Sequence, residues 1–428
     1  MPNSKQIKAA NNLAAFRKHQ EKQNAKGMPT KIEGSNLKPI RLVTDWRVPE
    51  IFSDISEVRD MLAEVREQGA SEIFIVPGEP IAIMVDGAMW AITYRVIKLN
   101  EAQFLLEMVT HNTAAVAKIA GGDSLNGTTE LFEKTPDGDS IKTNRGLKKY
   151  NRYRHNAAPC MTPLGSHFQI TMRHIPDDPL PYNKLDMTQE MVEDFIYPEG
   201  IIIIAGRTGS GKTTTLAAVI RYILEGDTLI KGNIVTHEEP IEFRYDNIMS
   251  THSIVAQSEI GVHFSDFNKA NREAMRRFPA LILLGELRVS ETIMAAVEAA
   301  QTGHPVFATT HATNIQSIIP RMVSRFPDER KGAAAYDIIE AARLLVAQKL
   351  PKGTNGKRFA VRETLKVNPE LRQKLLDIIS TDGEIAMIRE IRSIMQNEQY
   401  GAKSFQSQAD QLLKDGLIDE QAYKELVS

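Results

Sequence analysis

Cysteine is almost missing from this chain: Cys160 is the only one in 428 residues. That excludes a disulfide framework and fits a reducing cytoplasm. Long apolar runs are also missing. The longest, "GIIIIAG" at 200–206, is far too short to span a bilayer. The N-terminus has no apolar core of signal-peptide length. Membrane contact is therefore expected to be peripheral or through a partner. Charge of one sign is missing as well, since 52 Lys and Arg face 54 Asp and Glu. The balance gives no global pull toward nucleic acid, and direct nucleic-acid binding is not expected. No long-period repeat or low-complexity tract is visible. The chain is long enough for two or three domains of ordinary soluble composition.

Basic charge is concentrated at one end. Residues 1–41 carry nine Lys or Arg against two Asp or Glu, with few large apolar groups. Such a segment buries too little surface to offset its ordering entropy, so residues 1–50 read as a solvated extension. Ala9–Gln23 could form a short basic amphipathic helix only against an acidic surface.

Residues 51–180 read as a smaller α+β domain. Ile55, Val58, Leu62 and Val65 keep helical spacing up to Gly69, a candidate C′ residue. "EIFIVPGEPIAIMVDGAMWAI" then reads as a β-meander. Residues 112–149 are polar and Gly-rich and predict a loop or small hairpin insertion. "NRYRHN" and "HFQITMRHI" return to strand character, and "PDDPLPYNKL" is a linker. Over 181–368 strand candidates alternate with helical patterns, which predicts an α/β domain with a parallel sheet flanked by helices. From 369 to 428 only helical periodicity is visible.

Four stretches carry chemistry. "GRTGSGKTT" at 206–214 fits G-x-x-x-x-G-K-[ST] between a β-branched strand and a helix. Its glycines let backbone N–H groups turn onto the β- and γ-phosphates of a nucleotide, Lys212 adds a point charge, and the Thr213 hydroxyl can ligate Mg²⁺. The loop thus offers Gly206, Arg207, Thr208, Gly209, Ser210, Gly211, Lys212, Thr213 and Thr214. "ALILLGE" ends in Glu286, and "IVTHEEPIEF" supplies Glu238, Glu239 and Glu242 after another strand. Carboxylates converging on a Mg²⁺–phosphate centre are expected of an ATPase. "TGHPVFATTHATN" carries His304 and His311. An extended strand would hold them roughly 23 Å apart, too far for one metal. His311 would end its strand on the phosphate edge, followed by Thr313 as N-cap of a helix in which Pro320 kinks or delays the start. His304 would lie at the far end.

These motifs, in this order, resemble the type II/type IV secretion and pilus-motor ATPases, a branch of RecA-like hexameric P-loop proteins. The Walker A, Asp-box, Walker B and His-box motifs of that family match "GRTGSGKTT", "THEEPIE", "LILLGELR" and "TGHPVFATTH", and the likeness extends over about 55–428. The resemblance implies a PAS-like N-terminal domain, a RecA-like ATPase domain, ATP and Mg²⁺ as ligands, and a homohexamer. It implies a protein that is cytoplasmic and held peripherally at the inner membrane through components of a secretion or conjugation channel. It assigns Lys212 and Thr213 to phosphate and Mg²⁺, Glu238 to the attacking water, Glu286 to Mg²⁺, and both His304 and His311 to the His box. Arg152, Arg154 and Arg173 match N-domain arginine fingers. The insertion and the basic extension make the chain look closest to type IVB motors of the Dot/Icm and IncI-conjugation kind; a pilus retraction or assembly motor and a RecA-like DNA translocase are the alternatives. Three departures stand out. Glu239 replaces the Asp of the Asp box, Val289 replaces an Asp after Walker B, and "RRFPA" at 276–280 replaces R-E-D-P-D.

Overall fold

The computed structural model describes residues 29, 31–133, 140–143, 145–175 and 178–427. Most of the basic extension, including Ala9–Gln23, lies outside the described residues. The chain divides into two compact units, residues 1–141 with 148–175, and residues 142–147 with 176–428.

The first unit opens with α1 (Ile55–Glu67), whose start follows from local chemistry. Asp54 accepts from the Ser56 N–H and Glu57 closes a capping box, while Gly69 follows the last turn at φ +67°. Of the four residues whose spacing predicted the helix, Val58, Leu62 and Val65 are buried together with Met61, whereas Ile55, at the first turn, is exposed. The strands β1 (Glu72–Ile75), β2 (Ala82–Val85) and β3 (Ala88–Ala91) form the predicted meander. Helices α2 (Leu99–Thr110) and α3 (Ala115–Ala120) follow, then β4 (Leu125–Phe132), β5 (Tyr150–Thr162) and β6 (Gly165–Ile175). All six strands form one antiparallel sheet ordered β3-β2-β1-β6-β5-β4.

The expectation of a loop or small hairpin over 112–149 needs correction. Its first half holds α3 and the whole of β4, which pairs with β5 from Leu125↔Ala157 to Phe132↔Tyr150. Edge strands tolerate polar sequence because one side of the ladder stays in water, so composition alone misread it.

The second unit runs α4 (Gln189–Glu193), β7 (Gly200–Ala205), α5 (Lys212–Glu225), β8 (Asn233–Glu238), β9 (Ile254–Glu259), α6 (Phe267–Ala274), β10 (Pro279–Leu284), α7 (Ser290–Gln301), β11 (Pro305–Thr310), α8 (Ile318–Val323), α9 (Asp328–Ala341), β12 (Ala342–Lys349) and β13 (Val361–Lys366). The helices α10 (Pro369–Thr381), α11 (Gly383–Gln396), α12 (Phe405–Lys414) and α13 (Glu420–Val427) complete it, as the periodicity predicted. Its sheet is ordered β13-β12-β7-β11-β10-β8-β9 and is parallel except for β13.

Strand β7 explains why this sheet is covered on both faces. Ile201 and Ile203 pack into one apolar cluster with Val297 and Ile338, and Ile202 and Ile204 into another with Val219 and Ile220. Successive side chains alternate faces, so four consecutive isoleucines require a layer on each side. Each contributes on the order of 2 kcal/mol when fully buried. Strands β9, β12 and β13 escape the sequence pattern: β9 is a half-polar edge strand, and β12 follows α9 without an intervening residue.

Candidate nucleotide site

The carboxyl ends of β7, β8, β10 and β11 lie side by side, and the loops leaving them carry the candidate site residues. Strand β7 ends at Ala205, and the loop 206–211 turns directly into α5. Gly211 has φ +83°, and a Cβ there would meet Gln348 Nε2 at 2.9 Å. At Gly206 a Cβ would lie 2.4 Å from Ser210 Oγ and 2.6 Å from the Gln348 carbonyl. Neither position accepts a side chain without moving backbone or a buried amide.

Lys212 folds back over the loop and donates to the carbonyls of Gly206 (2.9 Å) and Arg207 (3.1 Å). Burial lowers its pKa, while the carboxylates of Glu286 and Glu242 pull it back up. Ser210 Oγ is buried without a hydrogen-bond partner, a polar atom left over in the loop. Thr213 and Thr214 are half-buried on the first turn of α5.

A support beneath the loop was not read from the sequence. Gln348 Nε2 donates to the Ser210 carbonyl (2.5 Å), and Gln348 Oε1 accepts from Thr215 Oγ1 (2.8 Å) and Arg362 Nε (2.8 Å). Arg362 also donates to the Leu185 carbonyl at 2.9 Å. Burial lowers the Arg362 pKa to about 10. No local motif marks these residues, because they come from β12 and β13 and meet the loop only in three dimensions.

The acidic side of the site is equally ordered. Glu238, the last residue of β8, is buried and accepts from Thr236 Oγ1 (2.6 Å) and Gln257 Nε2 (3.2 Å). Glu286 lies two residues past β10 in a turn pinned on both sides. The Gly285 N–H donates to the His237 carbonyl (2.8 Å), and the Leu287 N–H donates to the Thr309 carbonyl (2.9 Å). Its carboxylate lies 2.9 Å from His311 Nε2 and 2.7 Å from Arg288. The second Arg288 nitrogen is 3.7 Å from Glu239. Glu286, by hydrogen bond and then by charge, raises the Arg288 pKa. Arg288 thus bridges both acidic motifs, a role its place beside Walker B did not reveal.

The two histidines separate as the strand geometry required. His311 follows β11 directly on the Glu286 side. His304 precedes β11 at the opposite end, where its Nδ1 lies 3.2 Å from the Ala299 carbonyl and from Thr302 Oγ1, closing α7. It is not brought to the phosphate loop. The expected N-cap at Thr313 is corrected: Asn314 caps, accepting from the Ser317 N–H at 3.1 Å. A 3₁₀ turn Ile315–Ser317 precedes α8, which puts Pro320 in the first turn, so the proline delays the helix rather than kinking it. Thr313 instead lines a cavity of about 670 Å³ beside the loop, together with Lys349, Lys352 and Arg358.

The candidate arginine fingers belong to the first unit. Arg152 is 2% exposed and donates to Glu130 Oε1 at 2.8 Å, so its guanidinium is already engaged. Arg154 is exposed and pairs across the β5–β6 hairpin with Arg173, which is held by Glu72 at 2.6 Å.

Comparison with known proteins accords with this geometry. Residues 53–375 match the family described as type II/IV secretion system protein. The crystal structure of the ATPase DotB of Yersinia pseudotuberculosis is 37% identical with a TM-score of 0.76, covering 92% of this chain and 99% of that one. The pilus retraction motor PilT with bound ADP is 26% identical with a TM-score of 0.70, covering 88% of this chain and 97% of that one. In sequence, the type IV pilus retraction ATPase PilT of Pseudomonas aeruginosa is 30% identical over 339 residues, 77% of this chain and 91% of its own length. The match spans both compact units and all four chemistry-bearing loops, and the chain belongs to the type II/IV secretion system protein family.

Proposed function

We propose that this chain is a nucleotide-driven motor that hydrolyses ATP to power transport through a type IVB-like secretion or conjugation system. The observation that carries the reading is the meeting of Glu286, His311 and Arg288 within hydrogen-bond distance, on the sheet edge that also carries Lys212. The P-loop would take the β- and γ-phosphates on its N–H groups, with Lys212 exchanging its two carbonyl partners for phosphate oxygens. The orphaned Ser210 Oγ and the glycines that admit no Cβ fit a polar ligand pressed against backbone.

The donor set also suits Mg²⁺, a hard cation usually held by one or two protein oxygens plus phosphate and water. The Thr213 hydroxyl and the Glu286 carboxylate would hold it, and it would neutralise charge on the β- and γ-phosphates. Glu238, held by Thr236 and Gln257, would orient or deprotonate a water. His311 donates to Glu286 here and would turn that N–H toward γ-phosphate or water when ATP arrives. Arg154 and Arg173 are the exposed candidates for arginine fingers, and Arg152 serves that role only by giving up Glu130.

The assembly follows the family: a homohexamer that meets the cytoplasmic and inner-membrane parts of its channel. Among the described residues no helix is long and apolar enough to cross a membrane, and peripheral attachment through partners accords with that. The greater likeness to DotB than to the PilT structure favours the type IVB role. The matched length of the Pseudomonas retraction ATPase supports a pilus motor as the second reading. ATP turnover of Lys212→Ala and Glu286→Gln proteins tests the chemistry: both should lose nearly all activity, and unchanged rates would refute it. Deleting the gene should abolish transfer or secretion and leave pilus retraction intact; the reverse result favours the second reading.

A further inference from the structure

Residue 278 has a backbone unsuited to its side chain. Phe278 sits at φ +49°, ψ +60°, and is 93% exposed. Left-handed backbone is tolerated by Gly, Asn and Asp, and is an outlier for a bulky residue. The conformation is enforced from both sides. The Arg277 carbonyl accepts from Asn233 Nδ2 at 2.8 Å, and Pro279 begins β10 opposite Asn233. The ring is thus held out into water by a rigid sheet rim, at the strand ends remote from the phosphate loop.

The rim is apolar and cationic together. Asn233 starts β8 between Pro279 of β10 and Ile254 of β9, so Phe278 and the exposed Ile254 lie at strand starts on either side of β8. Leu229, four residues before β8, and Met249, five before β9, are exposed as well. Arg272 and Arg276 are exposed beside Phe278 and Arg277 is half-exposed; Glu273, 3.4 Å from Arg276, is the carboxylate on the same helix segment. An apolar patch this prominent, centred on an aromatic ring flanked by arginines, has the composition of an interface anchor.

The first unit carries a matching socket. A cavity of about 530 Å³ is lined by Asp45, Trp46, Pro49, Glu57, Asp60 and Ala63, with Arg47 as the single cation. Its rim is preformed: the buried Glu64 carboxylate accepts from the N–H groups of Val43 (2.7 Å) and Thr44 (2.9 Å), and Thr44 Oγ1 accepts from the Trp46 N–H (3.1 Å). Three carboxylates around an aromatic and a proline complement three arginines around a phenylalanine.

From this complementarity we infer that Phe278 of one copy seats in the Trp46–Pro49–Ala63 cavity of a second copy, with Arg276 and Arg277 facing its Asp45 and Asp60. Knob and socket are different surfaces of one chain, so the contact is heterologous and propagates head to tail, as a ring requires. The inference rests on the proposed ring and names the contact that closes it.

The test uses the full chain in a Cys160→Ser background. Proteins bearing only Ala63→Cys or only Phe278→Cys are mixed under mild oxidation, so a mixed disulfide can form only between copies. A disulfide-linked dimer in the mixture, far above that of either protein alone, is expected. Phe278→Asp should raise the concentration for half-assembly, measured by light scattering with and without ATP, by about tenfold or more. Its monomer should melt no lower than wild type, because the Phe278 ring is exposed and Asp tolerates the left-handed backbone better than Phe does. A wild-type ring with no mixed disulfide, and Phe278→Asp assembling as wild type, overturns the contact but leaves the ring standing. A wild-type protein that stays monomeric overturns both. Loss of binding to phosphatidylglycerol vesicles by Phe278→Asp, with assembly intact, reassigns the rim to a lipid surface and also overturns the contact.

Discussion

Replacing Gly211 by Ala separates backbone strain from steric contact within one loop. The residue has φ +83°, and the new Cβ would meet Gln348 Nε2 at 2.9 Å. Left-handed backbone costs an alanine about 1–2 kcal/mol. Moving Gln348 weakens its bond to the Ser210 carbonyl, a further loss of about 1 kcal/mol. The combined loss of roughly 2–3 kcal/mol divides between folding and ATP binding according to how far the free loop relaxes. If all of it falls on binding, the dissociation constant rises about 30- to 150-fold. Gly209 is the internal control: it has φ +77° with no atom within 4 Å of an added Cβ, so Gly209→Ala should show the strain alone. Calorimetric titration with ATP in the presence of EDTA gives the binding part, and urea unfolding gives the rest. A summed loss below about 1 kcal/mol for Gly211→Ala, or a larger loss for Gly209→Ala, would refute the reasoning.

Three further outcomes are expected. His311→Ala should cut ATP turnover at least tenfold while changing ATP affinity less than about threefold, since His311 touches Glu286 and not the phosphate loop; equal losses in both, seen by single-turnover and binding measurements, would count against a sensing role. Asn314→Ala should lower stability by about 1 kcal/mol in denaturant melts, whereas Thr313→Ala should be close to neutral. The first unit should weaken on acidification, because burial depresses the His155 pKa from 6.5 to about 4. Between those values the unfolded chain binds the extra proton, so stability is full above about pH 6.5 and is lost as pH falls toward 4, by at most about 3 kcal/mol. His155→Gln should flatten that pH dependence in thermal melts, and an unchanged slope would remove His155 as its source.

Local pattern made much of the fold legible. The isoleucines of β7 called for burial on both faces, the spacing of α1 with Gly69 after it called for a helix, and the motif at 206–214 marked the turn between β7 and α5 as the candidate phosphate loop. The polar β4, the half-polar edge β9 and the strand β12 joined directly to α9 were not legible, because pairing partners far along the chain decide them. Within the site, Lys212, Glu238, Glu286 and His311 were found by motif. Gln348 and Arg362, which hold the loop from below, and Arg288, which spans two acidic motifs, were not.

Sequence by itself determined which groups are candidates for chemistry, since a phosphate-loop motif, a carboxylate at a strand end and a histidine at the next strand end are each written in consecutive residues. Only the tertiary structure decided how those groups are held. It gave Asn314 the cap expected of Thr313, engaged Arg152 with Glu130, and left Phe278 in water. The physical reason is range: caps, turns and strand periodicity act over a few residues, whereas burial and hydrogen-bond partners are fixed by strands that meet only after the sheet has formed.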